Sequence, residues 1–476
     1  MEKLKTVLAG LAVISVLASS AASCQSRNSS ESGSSDENTS ASEEETSVGN
    51  ENVDINGQTI VWLADYDINP EGDEARSVAL SLFEDVYGAK VEFVQAEPDE
   101  MLATLDEMIL AGDEVDMFPY AQDTFPNGVL SKRFEPLDPY FGMMGMEEEG
   151  LWDDMSSIID MFAYNVQHYV VPFSVSDPLV ITYSRNIMNE EGLDDPYKLY
   201  LDGKWDQETF VKMMESYVAA APEGETRYGI NGWYGQELLR STGCSVVTYD
   251  GSKLANNIDA PEIEKAVLLA QDIASKKLCN PAQADCFPNP HNTLFFAMGS
   301  WSLGASNARN PDSDLMVVPF PKLAGAEKNR ICCDYDAKML VKNSTKGDAV
   351  AAYIKCERVA ASREEYRNAA RQQAVVEEKT AGGKLRSFVT EEQYDALQSC
   401  LEECKAAPVF DFAYGMGEKM NSEGEYNYET RGVINNMNNV MQAMLEGDTS
   451  VGPWAELREE WSDIIDGEVG SFNAAQ

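Results

Sequence analysis

The stretch that decides the fold is residues 59–118, TIVWLADYDINPEGDEARSVALSLFEDVYGAKVEFVQAEPDEMLATLDEMILAGDEVDMF. It opens on a β-rich apolar run, Thr59-Ile60-Val61-Trp62-Leu63. Residues 75–87 then set Val78, Leu82 and Val86 on one side with Ala79 and Phe83 beside them, which is helical spacing. Gly88 comes next, where a helix-ending left-handed residue belongs. Residues 90–96 (KVEFVQA) alternate like a strand. Residues 101–111 bring Leu102, Leu105, Met108 and Ile109 to one helical face, and Gly112 stops them. Residues 115–118 (VDMF) read as strand again. The order β-α-β-α-β predicts a mainly parallel sheet with helices on both faces. Ligands of such sheets bind beyond the carboxyl ends of the strands.

The same alternation recurs downstream. Residues 179–183 (LVITY) read as a strand, and Asp206 as the N-cap of a helix through Phe210, Met213, Met214 and Val218. A helix over 261–277, strands at 315–319 (LMVVP) and 339–341, and helices over 346–359, 391–404 and 431–446 complete the pattern. Trp454 and Trp461 have helical spacing that suggests core packing, with a place in the cleft as the alternative for Trp454 after Gly452-Pro453.

Ahead of this body, Lys3 and Lys5 precede an apolar run over residues 7–17 (VLAGLAVISVL), then small residues at 19–23 and Cys24. The run is shorter than the ~20 residues of a spanning helix and carries signal-peptide flanks. Residues 25–56 are rich in Ser, Glu, Asn and Gly and cannot bury a core, so they read as a flexible tether. Fold reasoning starts at about residue 57.

The chain carries 36 Lys+Arg against 81 Asp+Glu, a formal charge of −45. Residues 25–56 hold eight acids and one base and the first 24 residues net +1, so residues 57–476 keep −39. Without a basic footprint to neutralise phosphates, nucleic acid is excluded as a partner, and a polyanionic solute is disfavoured. The only histidines, His168 and His291, stand in no triad motif, and no P-loop or dinucleotide fingerprint occurs. The expectation is therefore no enzyme and no cofactor. Paired carboxylates keep a secreted glycoside hydrolase as the alternative. Asp65-x-Asp67-x-Asn69 starts like a calcium loop, but Pro70 at the sixth position and Arg76 at the twelfth break it, so no metal is expected. Besides Cys24, the cysteines are Cys244, Cys279, Cys286, Cys332, Cys333, Cys356, Cys400 and Cys404. Their spacings match no zinc motif, and they read as buried thiols or disulfides of undeducible connectivity.

Several motifs then occur in a fixed order. They are Trp62 in the first strand, Phe83-Glu84 with Tyr87-Gly88, and Leu110-Ala111-Gly112-Asp113 before Asp116-Met117-Phe118. Next come Asn127-Gly128-Val129-Leu130 with Pro136-Leu137-Asp138, and Tyr169-Val170-Val171-Pro172 before Tyr183-Ser184-Arg185. Gly192-Leu193 then leads through Pro196 to Trp205-Asp206 and Phe210. Last is Phe296-Ala297-Met298-Gly299-Ser300-Trp301 with Val317-Val318-Pro319-Phe320-Pro321. Together these resemble the extracellular solute-binding proteins of ABC importers, in the cluster that includes maltose-binding protein. Cys24 after small residues similarly resembles the lipobox of bacterial lipoproteins, although Ala21 stands where that motif usually has Leu.

The resemblance implies an α/β, two-lobed periplasmic-binding-protein-like fold of type II, with mainly parallel sheets flanked by helices and a ligand cleft between the lobes. It implies a signal peptide over 1–23 and a lipidated Cys24 heading the tether over 24–56. Lobe 1 would comprise 57–180 and 317–395, and lobe 2 would comprise 181–316 and 396–476. The implied role is capture of a neutral sugar or oligosaccharide by a lipid-anchored monomer, which delivers it to the transmembrane subunits of an ABC permease. A surface adhesin or sensor subunit using the same fold is a further alternative.

A sugar offers an apolar C–H face and a rim of hydroxyls, so its site needs aromatic platforms with planar polar groups around them. The resemblance nominates Tyr120 and Asp123 after the third strand, Trp301 after the Gly299 turn, and Trp233 and Tyr234 after Gly232. It also nominates Asp65 and Tyr66 at the end of the first strand, with Tyr335 and Asp336 before Met339. Phe173 and Asp177 lie near the first crossover and are weaker candidates.

Overall fold

Thr59–Ala64 forms strand β1, and every residue after the first is buried. A strand covered on both faces must have helices above and below it. The computed structural model, which describes residues 53–69, 76–121, 124–282, 284–375, 388–413, 416, 432–448 and 450–475, has that arrangement. The helix Val78–Tyr87 starts where the Ser77 hydroxyl accepts the Leu80 N–H at 3.0 Å, and ends at Gly88 with φ 65°. Strand β2 (Lys90–Gln95) then pairs parallel with β1 along its length. The helix Met101–Ala111 ends at Gly112 with φ 76°, and β3 (Met117–Pro119) joins β1 on the other side, again parallel. Signal peptide, Cys24, nearly all of the tether and Asp123 lie outside the described residues.

Two further strands, β4 (Phe134–Glu135) and β15 (Lys338–Val341), complete a first sheet in the order β2-β1-β3-β15-β4. Two small hairpins lie elsewhere, β5 (Ala163–Tyr164) with β6 (Gln167–His168), and β10 (Val247–Tyr249) with β11 (Leu254–Asn256). The second sheet runs β13-β8-β12-β9, from Leu315–Pro319, Leu179–Ser184, Thr293–Gly299 and Tyr228–Gly232 respectively. Between the two sheets, β7 (Ser174–Ser176) and β14 (Asp334–Asp336) form an antiparallel pair.

The sheets are mixed rather than mainly parallel. In the first, β15 is antiparallel to both β3 and β4. In the second, β8 is antiparallel to both β12 and β13, while only β12 and β9 run parallel. The cause is the two-lobed path of the chain. A strand arriving from the other lobe, as β8 does after β7 and β15 after β14, enters at the end where its neighbours finish. The alternation in residues 59–118 reports only strands returned by helices, so it could not reveal this.

The second sheet takes in all of β8 and all of β13. The two crossings therefore fall at β7, a few residues before the boundary read at 180/181, and at β14, about seventeen residues beyond the one read at 316/317. The helix Glu391–Ala406 contacts both β13 and β7 and so spans the boundary read at 395/396. Its N-cap Thr390 makes a full capping box with Gln393. Helices Gly432–Glu446 and Trp454–Ala475 complete the second lobe, against the helices Gly235–Arg240 and Pro261–Ser275 and against β11. Trp461 is buried there beside Trp454, ring centroids 6.0 Å apart.

The lobes are joined by an aromatic cluster as well as by backbone. Phe162 packs on Tyr120 (5.3 Å), Tyr335 (5.4 Å) and Phe410 (4.6 Å), and Phe412 reaches Tyr249 of β10 at 5.3 Å. A disulfide links Cys333, next to β14, to Cys404. Cys279, Cys332, Cys356 and Cys400 are buried free thiols.

Candidate functional site

The candidate site lies at the strand ends. The first strand β1 ends at Ala64, and Asp65 and Tyr66 project beyond it. Both are exposed, and the Trp62 indole holds them by donating from Nε1 to the Tyr66 carbonyl at 2.9 Å. The Tyr66 ring meets Trp62 edge-on at 5.4 Å. Tyr120 comes after β3 and donates its backbone N–H to the Ala337 carbonyl at 3.1 Å, just before β15.

On the second lobe, β9 ends at Gly232 with φ 116°. A Cβ there would lie 2.0 Å from the Ala297 carbonyl oxygen, so only glycine lets β9 approach β12 this closely. The turn leaves Trp233 exposed and Tyr234 buried. Tyr234 packs on Phe320 inside the second lobe, ring centroids 6.1 Å apart, and its backbone N–H donates to Gln442 Oε1 at 3.0 Å. Its side chain is thus core rather than cleft. At the neighbouring strand end, Gly299 lies under the Trp301 indole, and a Cβ on it would meet Trp301 Nε1 at 2.5 Å and Asp177 Oδ2 at 2.7 Å.

Asp177 lies in the link from β7 to β8, with φ 45°. Its Oδ1 accepts the Ser300 hydroxyl at 2.8 Å and the Trp301 N–H at 3.0 Å. The crossing segment thereby fixes the turn that presents Trp301.

The opposite crossing strand β14 supplies more carboxylate. Asp336 accepts hydroxyl hydrogen bonds from Ser174 (2.7 Å) and Ser176 (2.8 Å) of β7. Strand residues two apart share a face, so Asp334 lies on the same side. Its carboxylate has no hydrogen-bond or ion-pair partner among the described residues. Tyr335, between them, faces the other way and donates its hydroxyl to the Val409 carbonyl at 3.0 Å within the aromatic cluster. Asp334 is exposed, and the protein around its carboxyl still desolvates it enough to push it up to about 7, reinforced by repulsion from Asp177 and Asp336. Burial also raises Asp177 and Asp336, the latter against hydrogen bonds from its two serines, and partial desolvation by its neighbours raises Asp65.

Behind Asp336 sits Lys338, almost fully buried, with Nζ 4.8 Å above the Trp62 ring and 5.3 Å from the Phe173 ring, and 3.4 Å from Glu357. Its positive charge also acts on the Tyr66 phenol and on Asp336. The structure therefore brings Asp65, Tyr66, Asp336 and Trp301 around the two crossing strands, with Tyr120 and Trp233 on adjoining strand ends. It turns Tyr234 and Tyr335 inward. Asp334, Ser174, Ser176, Ser300 and Lys338 belong to the same neighbourhood and escaped the sequence reading. The Asp334-Tyr335-Asp336 alternation was the available signal for Asp334.

Among the described residues no cluster of potential metal ligands occurs, and no helix is long and apolar enough to cross a membrane.

A two-lobed α/β fold with aromatic and acidic side chains at facing strand ends defines a ligand-capturing protein. Residues 79–366 match the family model for the bacterial extracellular solute-binding protein, and the chain belongs to that family. Solved structures share the fold at low identity. One is the galacto-N-biose-/lacto-N-biose I-binding protein of the ABC transporter from Bifidobacterium longum, in complex with lacto-N-biose. It has TM-score 0.57 and 12% identity, covering 87% of this chain and 97% of that one. Another is the sugar-binding protein MalE from Xanthomonas citri, with TM-score 0.57, 15% identity, and 87% and 99% coverage. A third is the cyclic alpha-maltosyl-1,6-maltose binding protein from Arthrobacter globiformis, with TM-score 0.57, 13% identity, and 86% and 98% coverage. No curated protein matches the sequence.

Proposed function

We propose that this chain is the solute-binding lipoprotein of an ABC importer, capturing a neutral sugar or oligosaccharide between its lobes and passing it to the membrane permease. The observation that carries this reading is the pairing of exposed or half-buried aromatics with carboxylates at the strand ends of both lobes. Tyr66 and Asp65 stand on one side and Trp301 and Trp233 on the other, with Asp177, Asp334 and Asp336 at the crossings between them. An aromatic face takes the C–H side of a sugar ring, and carboxylates accept its hydroxyl protons. Asp123 remains part of the proposed set by its place in the sequence. The sugar ligands of the structural relatives agree with this reading. In it the protein does no chemistry, acts as a monomer, and moves by closure of one lobe on the other.

The anchor is proposed on the sequence of residues 1–56, with Cys24 carrying the lipid. Two acyl chains hold a protein on a membrane where one is marginal. A Cys24→Ala variant should be lost from the membrane fraction.

The solute reading is tested by calorimetry of the purified protein against mono- and oligosaccharides. A ligand at 100 times its Kd should stabilise the fold by about 2.7 kcal/mol. Stabilisation by peptides and by no sugar would overturn the carbohydrate assignment, and unaided hydrolysis of the sugar would favour the hydrolase.

A further inference from the structure

The two lobes also touch at the tips of the two small hairpins. The hairpin β5–β6 belongs to the first lobe: the His168 carbonyl accepts the Leu137 N–H at 2.7 Å, and the His168 N–H donates to Asp138 Oδ2 at 2.8 Å. The hairpin β10–β11 belongs to the second: Leu254 and Asn473 exchange two hydrogen bonds of 2.9 Å, which tie β11 to the helix Trp454–Ala475. At the tips, the Tyr249 hydroxyl accepts the Asn165 N–H at 3.1 Å and donates to Asn165 Oδ1 at 3.3 Å. The Tyr164 and Tyr249 rings lie 5.3 Å apart beside them.

The turn that carries Asn165 is strained. Asn165 (φ 50°) and Val166 (φ 57°) are the two residues between β5 and β6, and both are left-handed, as a two-residue hairpin turn requires. Asparagine accepts that conformation, whereas a β-branched residue is an outlier there. Val166 is 92% exposed, so no packing compensates it. Tyr249, from the other lobe, supplies two hydrogen bonds that hold this tip.

The contact lies across the crossing strands from the acids of the candidate site. Residues of a strand alternate between faces, so Tyr335 points away from Asp334 and Asp336. Its ring meets Phe162 at 5.4 Å, and the rings continue through Phe125 (5.6 Å from Phe162) to Tyr164 (6.2 Å from Phe125) and so to Tyr249. The Tyr120 ring takes this side too, against Phe162. Asp334 and Asp336 take the other face, where the Asp177 charge acts on Asp334 and on Asp336.

We propose that the Asn165–Tyr249 contact is a latch that favours the open form of the cleft, so that a tyrosine outside the site sets solute affinity. This rests on the reading of capture by closure of the lobes. The lobes turn about β7 and β14, so closing the cleft at the acid face parts the hairpin tips at the opposite face. Hydrogen bonds of about 3 Å are lost on a separation of about an ångström more. Closure therefore costs this contact, and apparent affinity falls in proportion to the fraction of protein able to close.

Tyr249→Phe tests the latch, because it removes the hydroxyl and keeps the ring against Tyr164 and Phe412. Double electron–electron resonance on the solute-free, full-length protein, with nitroxide-bearing residues at Asp65 and Trp233, reads the separation of facing strand ends. Tyr249→Phe should enlarge the short-distance population about threefold or more. In calorimetry of the unlabelled protein with maltose and lacto-N-biose, it should tighten whichever sugar binds by the same factor. Asn165→Gly suits the left-handed turn and deletes one of the two hydrogen bonds, so it should act in the same direction but less. Tyr169→Phe deletes a hydroxyl bonded to Gln167 of the same lobe and should change neither readout. Urea unfolding of each variant separates loss of fold from a shift of the lobes. The latch is overturned if Tyr249→Phe leaves the distances unchanged or lengthens them, or if Tyr169→Phe shifts them equally. If neither sugar binds while the distances still shift, the carbohydrate reading fails and the latch stands.

Discussion

The Asp177 carboxylate accepts the backbone N–H of Trp301 at 3.0 Å, across 124 residues of sequence. The same oxygen accepts the Ser300 hydroxyl, so one side chain in the crossing segment positions the aromatic turn of the second lobe. Asp177→Ala removes both hydrogen bonds. It should weaken solute binding about tenfold, since each charged hydrogen bond contributes roughly 1.5–3 kcal/mol. In a double-mutant cycle with Trp301→Ala the losses should be less than additive. Full additivity in titration calorimetry would show that Asp177 does not act through Trp301.

Gly299 reports on the indole together with the carboxylate that holds its turn. A methyl group at this position would collide with Trp301 Nε1 and with Asp177 Oδ2, both ends of side chains. Gly299→Ala should therefore displace the ring and cut solute affinity while costing at most about 2 kcal/mol of stability. Urea unfolding beside calorimetry separates the two, and unaltered affinity would remove Trp301 from the site.

The acid group at the crossings gives stability a definite pH slope. Asp334 has its folded pKa raised to about 7, above the ordinary 3.8, and Asp177 and Asp336 are raised as well. The folded state thus binds more protons than the unfolded state across that window, and stability rises as pH falls from above 7 toward about 4. Asp154, lowered against its burial by Lys405 and Arg358, and Glu392, lowered by Arg185, work in the opposite direction at lower pH. Asp334→Asn should raise the melting temperature at pH 8 and flatten the slope between pH 5 and 8. Parallel melting curves for the two proteins would refute the assignment.

Lys338 is the cation set directly behind the acids, buried beside Glu357 at 3.4 Å with its charge also acting on Asp336. Lys338→Met leaves both carboxylates without it and should cost about 3–5 kcal/mol in denaturant unfolding. The double variant with Glu357→Leu should recover part of that loss. Equal destabilisation of single and double variants would mean the lysine serves only packing.

The elements of the fold were largely legible in the sequence. Gly88 and Gly112 end their helices in left-handed conformations, Asp206 caps its helix through the Thr209 N–H at 2.8 Å, and Leu315–Pro319 is a strand as read. Strand direction was not legible. The antiparallel setting of β8 and β15 depends on which lobe the chain arrives from, and that is a long-range fact.

The site divides the same way. Period-two alternation is local, so a single strand could have shown that Tyr335 and Asp336 point to opposite faces and that Asp334 shares the face of Asp336. Tyr234 turns inward through the Gly232 turn, whose conformation depends on a contact with Ala297. Sequence by itself determined the helix and strand periods, the acidic character, and the aromatic and acidic residues available at strand ends. Only the tertiary structure decided which of them meet. Asp177 and Trp301, or Ser174 and Asp336, are joined by chain crossings, and local propensity carries no information about contacts between distant segments.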